Sequence, residues 1–401
     1  MWIISSGCYV ALVLFTLLNN ISGKKSSQKK DIHQHFSYRQ YRQYLIFHRP
    51  KGLGGIVSKQ DFKRSQAYNV DKSRLGFVRE FCKQVQLILM LYLDCLPKLW
   101  SLAGDLVQGE VPQSLAFIVI YSLSSTLANL PWSLYSAFVI EEMHGFNNQT
   151  FGLFLGDLVK SELVATLTSF PLIFIFLWII KTTGDSFYLY LWLAVAIFQI
   201  LQVTLYPILI RPLFNKVILL KHGELRSEIE RMTSDIHFPL QRLYVIDSSR
   251  RTGHANAYFY GLGYKQIVLY DTLIQQTNTR EICAILAHEL GHWHLSHTLR
   301  LFCIQQVYQL LLFLSFSSLS GLCDSFGFPS ESPVINFLLF DLVWSPIERV
   351  VQCLIYKIQR DHEYQADRYA LSLGYTELPS ALKKVAAYNR GEYLVDPWFN
   401  F

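Results

Sequence analysis

His288 and His292 stand four residues apart, a spacing that puts two imidazoles on one helix face, one turn apart, where a single zinc ion can bridge them. Glu289 lies beside them, where a carboxylate can take a proton from an attacking water. The run 280–291 contains no proline, and Ile282, Ile285, Leu286 and Leu290 make an apolar face, so a helix is predicted there. Ala284, Ala287 and Gly291 surround the motif with small side chains, which implies that the imidazoles are buried for a purpose. A hydrolytic zinc needs a third protein donor and an open position. Glu363, within Arg360-Asp361-His362-Glu363-Tyr364-Gln365-Ala366-Asp367, is the best candidate. Asp367 is four residues further on, shares that helix face, and can accept the second N–H of a ligand histidine. His294, His297 and His362 read as ordinary helix residues off the ligand face. The pattern is that of a two-histidine, one-glutamate hydrolytic centre with one zinc per chain.

The elements that must position these residues are membrane spans. Of the 401 residues 51% are hydrophobic and 16% charged, well below the quarter of charged residues typical of soluble domains. The mean hydropathy is +0.23. Membrane-length segments of about 20 residues are predicted at 1–21, 85–106, 113–140, 163–180, 186–210, 301–323 and 334–356. His292 precedes the sixth and Glu363 follows the seventh. A two-span hairpin therefore returns the second motif to the membrane face of the first, as shared ligation requires. Asp341, Glu348 and Arg349 inside the seventh segment suggest a polar interior. For Asp94 and Lys98 in the second, a wet cavity and a local ion pair on a half-buried helix compete equally.

Loop charge predicts the orientation. Residues 24–83 hold fifteen Lys or Arg against four acids, and 211–300 hold eleven more, whereas 107–112, 181–185 and 324–333 hold one between them. The basic segments are expected on the cytosolic side, with the zinc motifs. The 141–162 turn should share that side, although it carries one Lys and four acids. The order of an apolar run at 1–21 followed by Lys24, Lys25, Lys29 and Lys30 suits a retained first span better than a cleaved leader.

Between the fifth and sixth spans lies a soluble-looking insert. It reads as an amphipathic helix at 225–236, strands at 243–246 and 266–270, and a further extended segment at 255–260. The seven cysteines are odd in number, form no CxxC and read as small apolar residues. No GxSxG occurs, and Gly261-Leu262-Gly263 lacks the rest of a dinucleotide fingerprint. The sequons at Asn20 and Asn148 fall near or on the predicted cytosolic side, so glycosylation is not expected. The net charge of +6 is read as loop bias, and no nucleic-acid partner is expected.

The run from Asp247 to Gly261, which includes His254-Ala255-Asn256-Ala257, resembles the segment ahead of the zinc helix in type I CAAX prenyl proteases. So do Ile267-Val268-Leu269-Tyr270-Asp271, Leu286-Ala287-His288-Glu289-Leu290-Gly291-His292-Trp293 and Glu363-Tyr364-Gln365-Ala366-Asp367. Tyr38-Arg39-Gln40-Tyr41, Glu141-Glu142-Met143-His144-Gly145-Phe146-Asn147 and Pro212-Leu213-Phe214-Asn215-Lys216 extend the likeness over nearly the whole chain, in order. The resemblance implies an all-α, seven-helix membrane protein enclosing a water-filled chamber, with a small cytosolic metalloprotease subdomain. It implies residence in the endoplasmic reticulum and inner nuclear membrane, and prenylated CAAX proteins as substrates that lose their last three residues, some with a second cut upstream. By position it gives His288, His292 and Glu363 to zinc and Glu289 to the base. Asp367 matches a residue often assigned as proton donor, although its spacing favours holding a histidine. Asn256 and His254 match a strand that binds the substrate backbone.

Two regions are expected, residues 1–210 with five spans and a basic loop at 24–83, and residues 211–401 with the metallopeptidase and two spans. The resemblance also leads us to expect, beyond Asp396-Pro397-Trp398-Phe399, a Ser-His-Pro-rich segment and a helix with an arginine, for which a chain ending at Phe401 has no counterpart. A membrane quality-control metalloprotease and a non-catalytic member that keeps the fold are the rival readings.

Overall fold

The computed structural model describes residues 32–53, 57–261, 265–319, 322–328 and 331–397. The first predicted span, 1–21, and Asn20 lie outside the described residues.

The basic stretch expected as a loop is largely helical: α1 spans Ile32–Tyr44 and α2 spans Lys59–Tyr92. Ser58 caps α2 by accepting from the Asp61 amide. Polar residues dominate α2 until its last turns, so hydropathy alone hides it. Asp94, in the left-handed region at φ 50°, breaks the chain between α2 and α3, Cys95–Leu106, and the two helices meet at 64°. Asp94 and Lys98 sit at this bend, where Lys98 donates to the Leu93 carbonyl at 2.7 Å. The predicted span at 85–106 is therefore a bent helix pair.

Three long apolar helices follow. They are α4, Glu110–Tyr135, which widens into a π-helix over Ser136–Glu141, α5, Phe151–Thr182, and α6, Phe187–Leu205. The insert carries α7, Glu224–Asp235, and leads into α8, Thr279–His294; α9, His297–Ser317, α10, Pro333–Ser372, and α11, Leu378–Tyr388, follow. Among the described residues four helices are long and apolar enough to cross a membrane, or five if the bent pair counts as one. Segment 334–356 is the first half of the 40-residue α10, whose polar second half carries Glu363.

The chain is not all-α. The insert forms a four-stranded mixed sheet of order β1-β2-β4-β3, from β1 Val217–Leu219, β2 Leu240–Ile246, β3 Ala257–Tyr260 and β4 Lys265–Tyr270. β2 and β4 run parallel, and β3 pairs antiparallel with β4, so β3 is an edge. Leu243, Ala257, Ile267 and Leu269 bury one face of the sheet against Ile282, Leu286 and Leu290 of α8.

Packing sorts the helix ends into two levels. Ile179 of α5, Leu191 of α6, Phe313 of α9 and Phe337 of α10 cluster at one end of the bundle. Trp100 of α3, Phe117 of α4 and Leu339 of α10 cluster there too. At the opposite end the α4–α5 turn meets the insert. Asp157 pairs with Arg251 at 2.7 Å, Asn148 donates to the Ser249 carbonyl, and Lys160 donates to the Leu213 carbonyl. The acids that argued against grouping 141–162 with the basic segments are thus in part paired with bases of the insert.

Candidate active site

Asn278 and Glu281 start α8 with a reciprocal capping box, each side chain accepting from the other's amide at 2.9 Å. This satisfies two of the helix's unpaired N–H groups. Lys384 of α11 pairs with Glu281 at 2.8 Å and ties that end down. Further along, Gly291 lets α8 touch α10: a Cβ there would lie 3.1 Å from the Ala366 Cα and 3.2 Å from its carbonyl oxygen. The close approach brings Glu363 and Asp367 of α10 to the two imidazoles of α8.

Donor atoms of His288, His292 and Glu363 all lie within 4.8 Å of one another. The His288 and His292 Nε2 atoms are 3.3 Å apart, and Glu363 carboxylate oxygens lie 3.3 Å and 3.6 Å from them. Two imidazoles and one carboxylate converging on a point are a donor set suited to a borderline metal such as zinc. Asp367 Oδ1 lies 2.8 Å from His288 Nδ1, so it accepts that N–H and leaves Nε2 to face the shared point. These residues therefore fit a metal ion.

The side chains at this point also act on one another electrostatically. The two imidazoles beside it hold the Glu363 carboxyl far below its ordinary range, against the effect of burial. For His288 burial opposes the charged form, but the neighbouring carboxylates of Glu363, Glu289 and Asp367 outweigh it, and its pKa is raised. Burial pushes the Glu289 carboxyl up, against the pull of the neighbouring histidines. A carboxyl raised in this way is a better proton acceptor than a solvated one.

Asn256 and His254 stand at the start of edge strand β3. The Asn256 side chain is exposed, with Oδ1 accepting from the Ala257 amide, and its carbonyl accepts from Tyr270. His254 stacks on Phe146 at 4.0 Å and lies 3.4 Å from both Tyr68 Oη and Glu141 Oε2. Its hydrogen-bond contacts are thus with that network and not with the imidazole pair. Nothing in the spacing of Tyr68 and Glu141 announced this, because they come from elements far apart in the chain.

One reading needs correction. His297 and His362, taken as ordinary helix residues, pack against the site. His297 is 1% exposed, its Nδ1 lies 3.0 Å from His292 Nδ1, and its ring stacks on His362 at 4.0 Å and 5°. His294 stacks on Tyr369 of α10 at 4.6 Å.

A helix-borne His-Glu-x-x-His, completed by a glutamate on a partner helix in a chain with several membrane-length helices, defines a membrane-embedded metallopeptidase. Comparisons with known proteins agree. A family profile described as "CAAX prenyl protease N-terminal, five membrane helices" matches residues 40–216, and "Peptidase family M48" matches 219–395. A CAAX prenyl protease 1 homolog of Oryza sativa is 38% identical, covering 90% of this chain and 88% of its own length. The human homolog is 36% identical over 88% and 84%, and CAAX prenyl protease 1 of Saccharomyces cerevisiae is 34% identical over 91% and 88%. The crystal structure of Ste24p from S. mikatae superposes with a TM-score of 0.87 at 33% identity, covering 99% of this chain and 95% of that one. The chain belongs to the CAAX prenyl protease 1 family of M48 metallopeptidases.

Proposed function

We propose that this protein is a zinc endopeptidase that removes the C-terminal tripeptide of prenylated CAAX proteins, with a second upstream cut in substrates that carry one. The observation that carries the reading is the convergence of His288, His292 and Glu363, with Glu289 on the same helical turn. Zinc bound by those three donors would polarise the scissile carbonyl and the attacking water. Glu289 takes the water's proton and later delivers it to the leaving amine. Asp367 orients His288 by accepting its Nδ1–H, which we favour over a proton-donor role. Edge strand β3, entered through His254 and Asn256, lies at the rim of the sheet, where an extended substrate can add as a further strand.

Around this site we propose seven spans enclosing a chamber. Residues 1–210 form the N-terminal membrane region and 211–401 the metallopeptidase region. The zinc face is cytosolic and the membrane is that of the endoplasmic reticulum, with the inner nuclear membrane continuous with it. The charge excess of 24–83 and 211–300 supports the orientation.

The test is cleavage of a farnesylated CAAX peptide by purified protein and by its Glu289→Gln variant, with zinc measured in both. The variant keeps size and both histidines, so about one zinc per chain should remain while cleavage falls by at least about 10²-fold. Equal rates in the two proteins overturn the assignment of Glu289 as base.

A further inference from the structure

We infer that His297 is a positioning residue for the metal site, holding His292 in the tautomer that turns its Nε2 lone pair toward the metal. The inference rests on the reading of His288, His292 and Glu363 as ligands.

His292 Nε2 faces His288 Nε2 at 3.3 Å and Glu363 at 3.6 Å, so it is the nitrogen turned to the shared point. It must be unprotonated to act as a donor, and the proton then sits on Nδ1. Nδ1–H points at His297 Nδ1, 3.0 Å away. His297 Nδ1 must therefore be the lone-pair nitrogen of its ring, which leaves the hydrogen on Nε2. That hydrogen has an acceptor, Gln365 Oε1 at 3.3 Å. Each step fixes the next, and the chain of donors closes on an amide oxygen.

The ring is held in place as well as polarised. His362 lies parallel to it at 4.0 Å, and both rings are almost fully buried. The backbone supplies the aim. Ser296, at φ 56° and ψ 31°, breaks the path from α8 into α9 just before His297. This break resets the helical phase and turns the His297 ring back on His292.

α10 thereby supports both candidate ligand histidines. Asp367 accepts directly from His288, and Gln365 accepts from His292 through His297. The two supports differ in charge, an anionic carboxylate on one histidine and a neutral imidazole on the other. Partners of this kind raise ligand basicity and fix ring orientation, and losing one typically weakens metal binding by about 10–100-fold.

The test uses the full chain in detergent, stripped of metal, with zinc affinity measured by competition against a chromogenic chelator. His297→Phe keeps a stacking ring but removes the acceptor, and should weaken zinc binding by about 10–100-fold. His297→Asn places an acceptor oxygen where Nδ1 stood and should restore most of the loss. Gln365→Met, on a partly exposed helix position, removes the distal acceptor and should weaken binding in the same direction by less. Parent-like affinity in His297→Phe, or an equal loss in the Phe and Asn variants, overturns the inference. Should the Phe variant not fold, parent-like affinity in Gln365→Met overturns it instead. A parent protein that takes up no zinc sinks the metal reading itself, which is a distinguishable result.

Discussion

The proposed mechanism divides the chemistry among residues that each do one thing, and the division can be probed at Asp367. Its Oδ1 accepts from His288 Nδ1 at 2.8 Å. Asp367→Asn keeps an acceptor oxygen and removes only the charge, so zinc affinity should drop by about tenfold, the low end for such partners, whereas Asp367→Ala should reach the high end. If Asp367 were instead the proton donor, both variants would lose peptide cleavage with zinc affinity unchanged; chelator competition separates the two. The spacing of Glu363 and Asp367 made this pair legible in the sequence, because i and i+4 share a helix face. His297 was not legible for the complementary reason. Counted along one continuous helix it leaves the face of His292, and only the left-handed Ser296 between the two helices brings it back. Serine at positive φ is uncommon and carries no reliable sequence signal.

Between elements, the contact that matters most is α8 against α10 at Gly291. Its missing side chain leaves the Ala366 backbone no room to spare. Alanine has the higher helix propensity, by about 1 kcal/mol. A Cβ pressed against backbone atoms at 3.1 Å nevertheless forces the helices apart, at a cost of roughly 1–3 kcal/mol. Glu363 and Asp367 move with α10, so Gly291→Ala should lower zinc affinity as well as thermal stability. Gly76→Ala in α2 is the matched control, since a Cβ there meets nothing within 4 Å, and it should leave zinc affinity alone. Parent-like zinc affinity in Gly291→Ala would mean that the spacing of the two helices does not set the site. The sequence placed both helices correctly but separated the seventh hydrophobic segment from the Glu363 helix. Hydropathy falls along α10 while its backbone runs on unbroken from Pro333 to Ser372.

At the scale of the whole molecule, the strongest constraint is that independent contacts agree on two membrane levels. The ends of α5 and α9 and the starts of α6 and α10 share one aromatic cluster, while Asp157–Arg251 and the Asn147–Thr252 bridge join the α4–α5 turn to the insert that leads into α8. Lys181 pairs with Glu110 at the first level, closing the α4–α5 hairpin there. Arg250 and Asp185 are exposed at the two opposite levels. If the basic segments set orientation, Arg250 faces the cytosol and Asp185 the lumen. In a background whose native cysteines are replaced, Arg250→Cys should react with an impermeant thiol reagent in sealed microsomes whose cytosolic face is outward. Asp185→Cys should react only after the membrane is permeabilised. Labelling of both before permeabilisation would put the two levels on one side and break the packing argument. The reverse pattern would keep the packing and invert the protein, carrying the zinc face to the lumen. That outcome would leave the metal site and its spacing intact and overturn the cytosolic placement proposed for it.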